Sequence, residues 1–350
     1  MARSPVVAED LERIAAAPLP WEELAGRTVV ITGANGFLPA YMVETLLFLN
    51  ETKRLDVRIV GVVRDREKAQ TRFEGRLGDA LSLLVQDASS PLKLDGPADF
   101  IVHAASQASP KFYGKDPAGT ILPNVVGTYN LLELARTRKS KAFLFFSSGE
   151  VYGTLRPEQI PIKEAECGHV DPMNVRSCYA EGKRAGETLC VSWAHQHGIP
   201  AKIVRPFHTY GPGMSLDDGR VYSDFVADVV AGRDIVMKSD GAAIRPYCYL
   251  ADATIAFFMV LLKGETCQAY NVGNPKAEVS VLELAELLAH MFPEKRLRVV
   301  KHIGPRPPGY LQSPIPRNCP DIAKIQTLGW APMLGLESGF RRTVQFYEGR

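Results

Sequence analysis

The apolar run Thr28-Val29-Val30-Ile31-Thr32 passes through Gly33-Ala34-Asn35-Gly36 into Leu38 to Asn50, a stretch that is apolar at helical period. No other part of the chain restricts the fold as much. A strand can turn at once into a helix only where side chains leave the backbone free, and two glycines provide that. A helix launched in this way folds back over its strand, and the following strand then lies parallel to the first. The unit returns along the chain. Val57 to Val63 and Phe100 to His103 read as buried strands, Asn124 to Arg138 as a helix, and Ala142 to Phe146 as a strand. Tyr179 to His197 reads as a helix and Ala201 to Arg205 as a strand. Short apolar strands separated by helices predict an α/β fold, a Rossmann-type doubly wound parallel sheet covered on both faces.

The glycine turn also predicts chemistry. Between a strand and a helix, glycines let the backbone approach a pyrophosphate, and the helix start offers free N–H groups and a positive dipole. A third glycine is expected at position 39, where Pro39 stands. Proline is tolerated in a first helical turn because its missing N–H has no helical partner there. The second strand ends in Val63-Arg64-Asp65. An acid at that place favours the ribose of NAD, and an arginine accommodates the 2′-phosphate of NADP. Both types are present. The expectation leans to NAD, with NADP possible, because a cofactor reduced and reoxidised within one turnover gains nothing from the reducing NADP pool.

After Arg205 the order loosens. Pro206, Gly211, Pro212 and Gly213 mark a loop, Val221 to Ala231 a helix and Ile235 to Met237 a short strand. Tyr247 to Leu250 leads into a helix ending near Lys263, and Val281 to Phe292 and Leu336 to Tyr347 are further helices. At 350 residues the chain is long for one domain. The expected division is an N-terminal extension over 1–26, a dinucleotide-binding domain over 27–205 with about 240–263, and a smaller substrate domain over 206–239 and 264–350. The extension reads as a packing arm, with Leu11, Ile14 and Ala15 at helical spacing before Pro18 and Pro20. Gly304 to Pro320 holds six prolines. It reads as an extended loop closing over a ligand with Arg306 and Tyr310, or equally as a plain surface loop.

Composition narrows the class. Apolar residues at 46% against 23% charged exclude a disordered chain. A net charge of +2 leaves no electrostatic footprint for nucleic acid. The six cysteines lack C-x-x-C spacing, which predicts free thiols rather than a disulfide framework or a metal site. Met1 to Asp10 has no apolar segment of the kind a secretory signal carries, and no apolar run approaches the ~20 residues of a membrane span. The cytoplasm is the expected location.

Tyr179 and Lys183 lie at i and i+4, on one helix face. A nearby ammonium lowers a phenol's pKa, and a phenol so tuned takes the proton of a substrate hydroxyl as hydride leaves its carbon. Upstream, the strand ending at Phe146 runs into Ser147-Ser148-Gly149-Glu150-Val151-Tyr152-Gly153. Residues just past the C-terminal end of a parallel strand point into the ligand crevice. There the Ser148 hydroxyl can share the proton, and the Glu150 carboxylate can take one from carbon beside a ketone.

T-G-x-x-G-F at Thr32, H-A-A at His103, N-V-x-G-T-x-N-L-L at Asn124, S-S-x-E-V-Y-G at Ser147 and Y-x-x-x-K at Tyr179 occur in this order. R-P-F-x-T-Y-G-P-G follows at Arg205, and N-V-G-N-P at Asn271. Over about residues 27–345 the chain resembles the extended short-chain dehydrogenase/reductase family, the nucleotide-sugar epimerases, dehydratases and decarboxylases. The resemblance implies Ser148, Tyr179 and Lys183 as the hydride-transfer triad, with Glu150 as a further catalytic group. It implies cofactor contacts at Gly33, Asn35, Gly36, Phe37, Leu38, Arg64, Asp87, Ala88, Ala104, Ala105, Asn124, Tyr179, Lys183 and Pro206. Asp87 would meet adenine and Asn124 would lie near the active site. Substrate contacts are implied at Ser109, His208 and Arg245, with Arg245 gripping the diphosphate or ribose. His208 stands where the family carries asparagine, and its side chain belongs to the type that titrates near neutrality.

Members of the family begin by oxidising C4 of the sugar. The dehydratases pair an aspartate with a glutamate after the serine, and Gly149 occupies the aspartate position. The UDP-glucuronate decarboxylases are most similar, through Gly168 to Pro172 and Arg176 to Arg184. They carry an arginine near the C-terminus that positions the carboxylate; here Asn318 stands in its place, with Arg317 one residue earlier. The expected order is decarboxylase, then epimerase, then 4,6-dehydratase. A sensor or structural subunit that only binds the dinucleotide is the alternative outside enzymes. His195 and His197, two apart on a helix, do not share a face and read as solvated or packing residues; His169, Tyr152 and Tyr210 read as structural. The substrate is expected to be a UDP-linked sugar. The resemblance implies a homodimer formed through the helices at 124–138 and 179–197.

Overall fold

The computed structural model describes residues 3–302, 311, 313 and 315–349. Arg306 and Tyr310 lie outside the described residues. The chain begins with α1 (Pro5–Ala15), then β1 (Thr28–Thr32), α2 (Phe37–Lys53), β2 (Arg58–Val63), α3 (Arg66–Arg72), β3 (Leu81–Val85) and β4 (Phe100–His103). It continues through α4 (Pro117–Leu122), α5 (Thr128–Arg138), β5 (Ala142–Phe146), α6 (Ser177–His197) and β6 (Ala201–Pro206). Seven strands form one sheet in the order β3-β2-β1-β4-β5-β6, closed by β10 (Ala269–Val272), and every pairing is parallel. The strand order reverses between β1 and β4, which opens a crevice at their C-terminal ends. The expected doubly wound sheet is present. Its far edge is β10, in the stretch expected for the smaller domain, because β10 pairs with β6 from 66 positions away (Ala269 opposite Ile203).

Two apolar layers sandwich the sheet. Val29, Ile31, Leu144 and Phe146 face α2 and α8 (Leu250–Lys263), while Val30, Ile101, Phe143 and Phe145 face α5 and α6. Each fully buried aliphatic or aromatic side chain in those layers contributes roughly 1.5–3 kcal/mol of transfer free energy. α6 packs closely because it carries Gly186. A Cβ there would stand 2.4 Å from the Phe145 ring and 2.8 Å from the Asn124 carbonyl. That approach fixes how far α6, and with it Tyr179 and Lys183, stands from β5.

The smaller layer holds α7 (Val221–Val230), α9 (Val281–Met291), α11 (Leu336–Glu348), and short strands. β9 (Ile244–Tyr249) lies between β7 (His208–Tyr210) and β11 (Glu278–Ser280), and β8 (Ile235–Met237) pairs with β12 (Val299–Lys301). The N-terminal arm is built into this core. The buried Asp10 carboxylate accepts from Tyr41 at 2.8 Å, Tyr249 at 2.7 Å and Arg342 at 2.7 Å, joining α1 to α2, β9 and α11.

Candidate active site

The C-terminal ends of the strands open into a cavity of about 1110 Å³. One wall comes from the large sheet through Thr32, Val62, Ala104, Phe146 and Pro206; the other comes from the smaller layer through His208, Arg220, Tyr222, Arg245 and Asn318.

The glycine turn forms the floor. Gly33 has φ of +65°, and a Cβ there would lie 2.9 Å from the Cα of Ala105, so both conformation and contact require glycine. A hydrogen-bond chain holds Ala105 in place. The backbone N–H groups of Ala104 and Ala105 donate to the Thr32 hydroxyl at 3.2 and 3.1 Å. Thr32 meets Nδ1 of His103 at 2.8 Å, and Nε2 of His103 meets the Pro123 carbonyl at 2.9 Å. A carbonyl only accepts, so Nε2 carries the proton and Nδ1 accepts from Thr32. Burial first, then the Lys183 charge, pushes the imidazole down to about 3, which keeps it neutral. Gly36 precedes α2 without a side-chain cap, so the first N–H groups of α2 remain open. Pro39 sits buried in that first turn.

Ser148, Glu150, Tyr179 and Lys183 all line the same cavity. The strand end and the close packing of α6 bring them together. Ser148 opens the turn Gly149–Tyr152, its hydroxyl accepting from the Glu150 N–H at 3.2 Å. Tyr179 stacks on Tyr113 with ring centres 5.1 Å apart and planes 16° apart. The Lys183 ammonium donates to the Phe146 carbonyl at 2.5 Å and lies 5.7 Å from the centre of the Tyr179 ring. Burial pushes Lys183 down to about 7, against the pull of Glu187. The same burial raises Tyr179 above the ordinary phenol value, opposed by the Ser148 hydroxyl and Arg220. The sequence predicts a phenol lowered by its ammonium. In the structure burial raises the Tyr179 phenol and lowers the Lys183 ammonium.

Residues 29–273 match the NAD dependent epimerase/dehydratase family. This chain belongs to that family. UDP-glucuronic acid decarboxylase 6 of Arabidopsis thaliana is 36% identical over 317 residues, 89% of this chain and 86% of the relative. UDP-glucuronic acid decarboxylase 1 of Danio rerio is 33% identical over 324 residues, 92% of this chain and 72% of the relative. Among solved structures, UDP-glucose 4-epimerase of Thermotoga maritima superposes with a TM-score of 0.76 at 22% identity, covering 92% of this chain and 99% of that one. At that identity the likeness shows the fold.

Membership makes the chain an NAD-dependent enzyme, and the residues fit the cofactor. Gly33 leaves a cradle that any side chain would fill, and the open start of α2 faces the same space. Asn35, Phe37, Leu38, Asp87 and Ala88 line the cavity with them. Asn124 does not line it. It is buried behind α6, its amide donating to the Thr120 carbonyl at 2.8 Å and its Cβ 3.3 Å from the Cβ point of Gly182. Ser109 belongs to an adjoining recess of about 570 Å³, where its hydroxyl donates to the Asp218 carbonyl at 2.6 Å. Arg245 lines the cavity while its guanidinium donates to the carbonyls of Ile315 at 2.7 Å and Pro316 at 3.0 Å. His208 is held well below its ordinary value by burial, then by Arg245 and Arg220, so it stays neutral and does not titrate near neutrality as expected.

Among the lining residues that sequence reasoning did not assign to the site are Tyr113, Arg176, Arg220 and Asn318. Arg176 donates to Glu150 at 3.0 Å and lies 5.7 Å above the Tyr113 ring. Its one signal was its place in the R-x-C-Y segment, three residues before Tyr179. Arg220 donates to the Ala108 carbonyl at 2.7 Å and pairs with Asp218 at 2.9 Å; a loop delivers it, and no periodicity announces a loop residue.

Proposed function

We propose that this enzyme oxidises C4 of a UDP-linked hexuronic acid and releases its carboxyl group as carbon dioxide through the resulting ketone, as the names of its relatives suggest. The observation that carries the reading is the convergence of Ser148, Glu150, Tyr179 and Lys183 at one end of the cavity, with Arg176 held on Glu150. When bound, NAD accepts the hydride of C4 and later returns it. Tyr179 takes the proton of the C4 hydroxyl and gives it back, with Ser148 sharing it. The ketone makes the substrate a β-keto acid, so the C5–carboxyl bond breaks with its electron pair passing into the enolate. C5 then takes a proton on the Glu150 side.

The carboxylate needs a cation. Arg317 faces away, pairing with Glu278 at 2.7 and 2.8 Å, and Asn318 brings only an amide to the cavity. The arginine beside Glu150 is Arg176, and we assign the carboxylate to it. Dehydration is disfavoured by Gly149, which has no acid to offer and whose Cβ point lies 3.0 Å from the Phe207 ring, so an aspartate there would press on that ring. The uncharged Asn318 favours a second reading, C4 epimerisation with the carboxylate retained.

The test is incubation with UDP-glucuronate and NAD, followed by NMR. A UDP-pentose with carbon dioxide supports the proposal. A UDP-hexuronate inverted at C4 replaces it with epimerisation. Unchanged substrate, with no deuterium taken up from heavy water, overturns the substrate class. We further propose a homodimer, supported by the exposed stripe Leu122, Val126 and Tyr129 beside Val191 on α6. The cytoplasm remains our proposed location, supported by six unpaired cysteines. Among the described residues, no helix is long and apolar enough to cross a membrane.

A further inference from the structure

Tyr179, Lys183 and Glu187 follow one another at four-residue spacing on α6 and share one helix face. They meet three consecutive residues at the end of β5 and just past it. Tyr179 reaches the Ser148 hydroxyl, the Lys183 ammonium donates to the Phe146 carbonyl at 2.5 Å, and Glu187 accepts from the Ser147 hydroxyl at 2.5 Å. Glu187 itself does not line the cavity. It is fixed from behind by Arg205 at the end of β6, which donates to its two oxygens at 2.8 and 2.6 Å. The Arg205 and Glu187 side chains are only 12% and 13% exposed. The same guanidinium donates to the Tyr152 hydroxyl at 2.9 Å and the Glu164 carbonyl at 2.8 Å, and Tyr152 donates to Asn271 of β10 at 2.5 Å. An ion pair buried this far adds little stability, because desolvation offsets the attraction. Its placement is better explained by what it holds. Lys183 is faced on its own helix by Tyr179, Glu187 and Cys190, and from β4 by His103. Burial keeps Tyr179 and Cys190 protonated and His103 neutral. Burial also lowers Lys183, and Glu187 opposes that.

We propose that Glu187 is a positioning residue for hydride transfer: clamped by Arg205, it fixes Ser147 and so the neighbouring Ser148 hydroxyl, and it keeps a negative charge one turn from Lys183. The planar guanidinium suits this role, since its two parallel bonds leave the carboxylate no freedom to turn. The inference rests on the hydride-transfer reading of Ser148, Tyr179 and Lys183 given above. It is the same whether the ketone is decarboxylated or epimerised.

Two variants of the full chain separate the two effects. Ser147→Ala removes the hydroxyl that Glu187 holds and leaves every charge in place. Glu187→Gln keeps the shape and an acceptor oxygen and removes the charge. With UDP-glucuronate and NAD, each should lower kcat about tenfold, while KM and the Kd for NAD change by less than about threefold. Tyr179→Phe is run beside them as the control. The charge is read without any sugar, in the melting temperature of the ligand-free protein at about pH 5, where Lys183 keeps its proton. There Lys183→Met should raise the melting temperature more in the Glu187→Gln background than in the wild type, because the buried ammonium has lost its partner. A purely structural Glu187 would leave that gain unchanged. The proposal is overturned by an equal gain in the two backgrounds, or by wild-type kcat in both Ser147→Ala and Glu187→Gln where Tyr179→Phe is slow. Wild-type turnover in Tyr179→Phe would instead overturn the hydride-transfer reading beneath it.

Discussion

Lys183 donates to one carbonyl and lies among apolar neighbours, and burial brings it down to about 7. An unfolded lysine keeps its proton to about pH 10.4. Below about 7 both states are protonated and the fold bears the whole cost of the buried charge. Between there and about 10.4 the unfolded chain holds the extra proton, so stability rises with pH through this group. Lys183→Met should therefore raise the melting temperature of the ligand-free protein most below pH 7, and the gain should vanish toward pH 10. A gain that is flat with pH would show that Lys183 is not the group responsible. Tyr179→Phe removes the proton acceptor while keeping the stack on Tyr113. We expect turnover to fall about 10²–10⁴-fold, with dinucleotide affinity, measured by titration, unchanged. Arg176→Lys keeps a charge but loses the fork. If Arg176 holds the carboxylate, KM for the uronic acid should rise about tenfold or more, while a neutral UDP-hexose binds as before.

Elements carry the longer-range dependences. α1 is fixed by one carboxylate that receives two phenols and a guanidinium. Asp10→Ala leaves the Tyr41 and Tyr249 hydroxyls without their acceptor, while Arg342 keeps Glu9 and the Val6 carbonyl, so the cost should be about 1–3 kcal/mol. Urea unfolding should show this as a lower midpoint at unchanged slope. α6 depends on Gly186 in the same way. A Gly186→Leu change would push the helix off β5, so turnover should fall far more than stability predicts, because Tyr179 and Lys183 move together away from Ser148.

At the scale of the whole molecule, local signals were the readable ones. β1, the glycine turn and α2 were plain because conformation and apolar period are set within a few residues. Tyr179 and Lys183 were plain because i and i+4 share a helix face. The edge strand β10 was not, because its partner β6 is far along the chain and four residues carry no period. Of the three-residue strands, β8 was readable as Ile235 to Met237, whereas β7 and β11 gave no pattern. Arg176 and Arg220 are of a type that usually sits in water, and only the folded loops turn them inward. Asn124, expected at the site through resemblance, packs against α6 at Gly182 without lining the cavity. The rise of Tyr179 by burial is likewise a property of the packed interior. The stripe at Leu122, Val126 and Tyr129 belongs to this scale too. Tyr129→Asp should shift the protein from dimer to monomer in sedimentation, and an unchanged sedimentation coefficient would argue against that face.

The Asp10 clasp spans 332 positions from its carboxylate to Arg342. A ribosome delivers the first helix long before the last, so α1 can pack on α2 and α8 while the clasp still waits for α11. Closing of the clasp is thus a late event, held back by synthesis itself. A nascent chain halted before residue 336 lacks the Arg342 bond to Asp10, so α1 should be cut by protease faster there than in the finished chain.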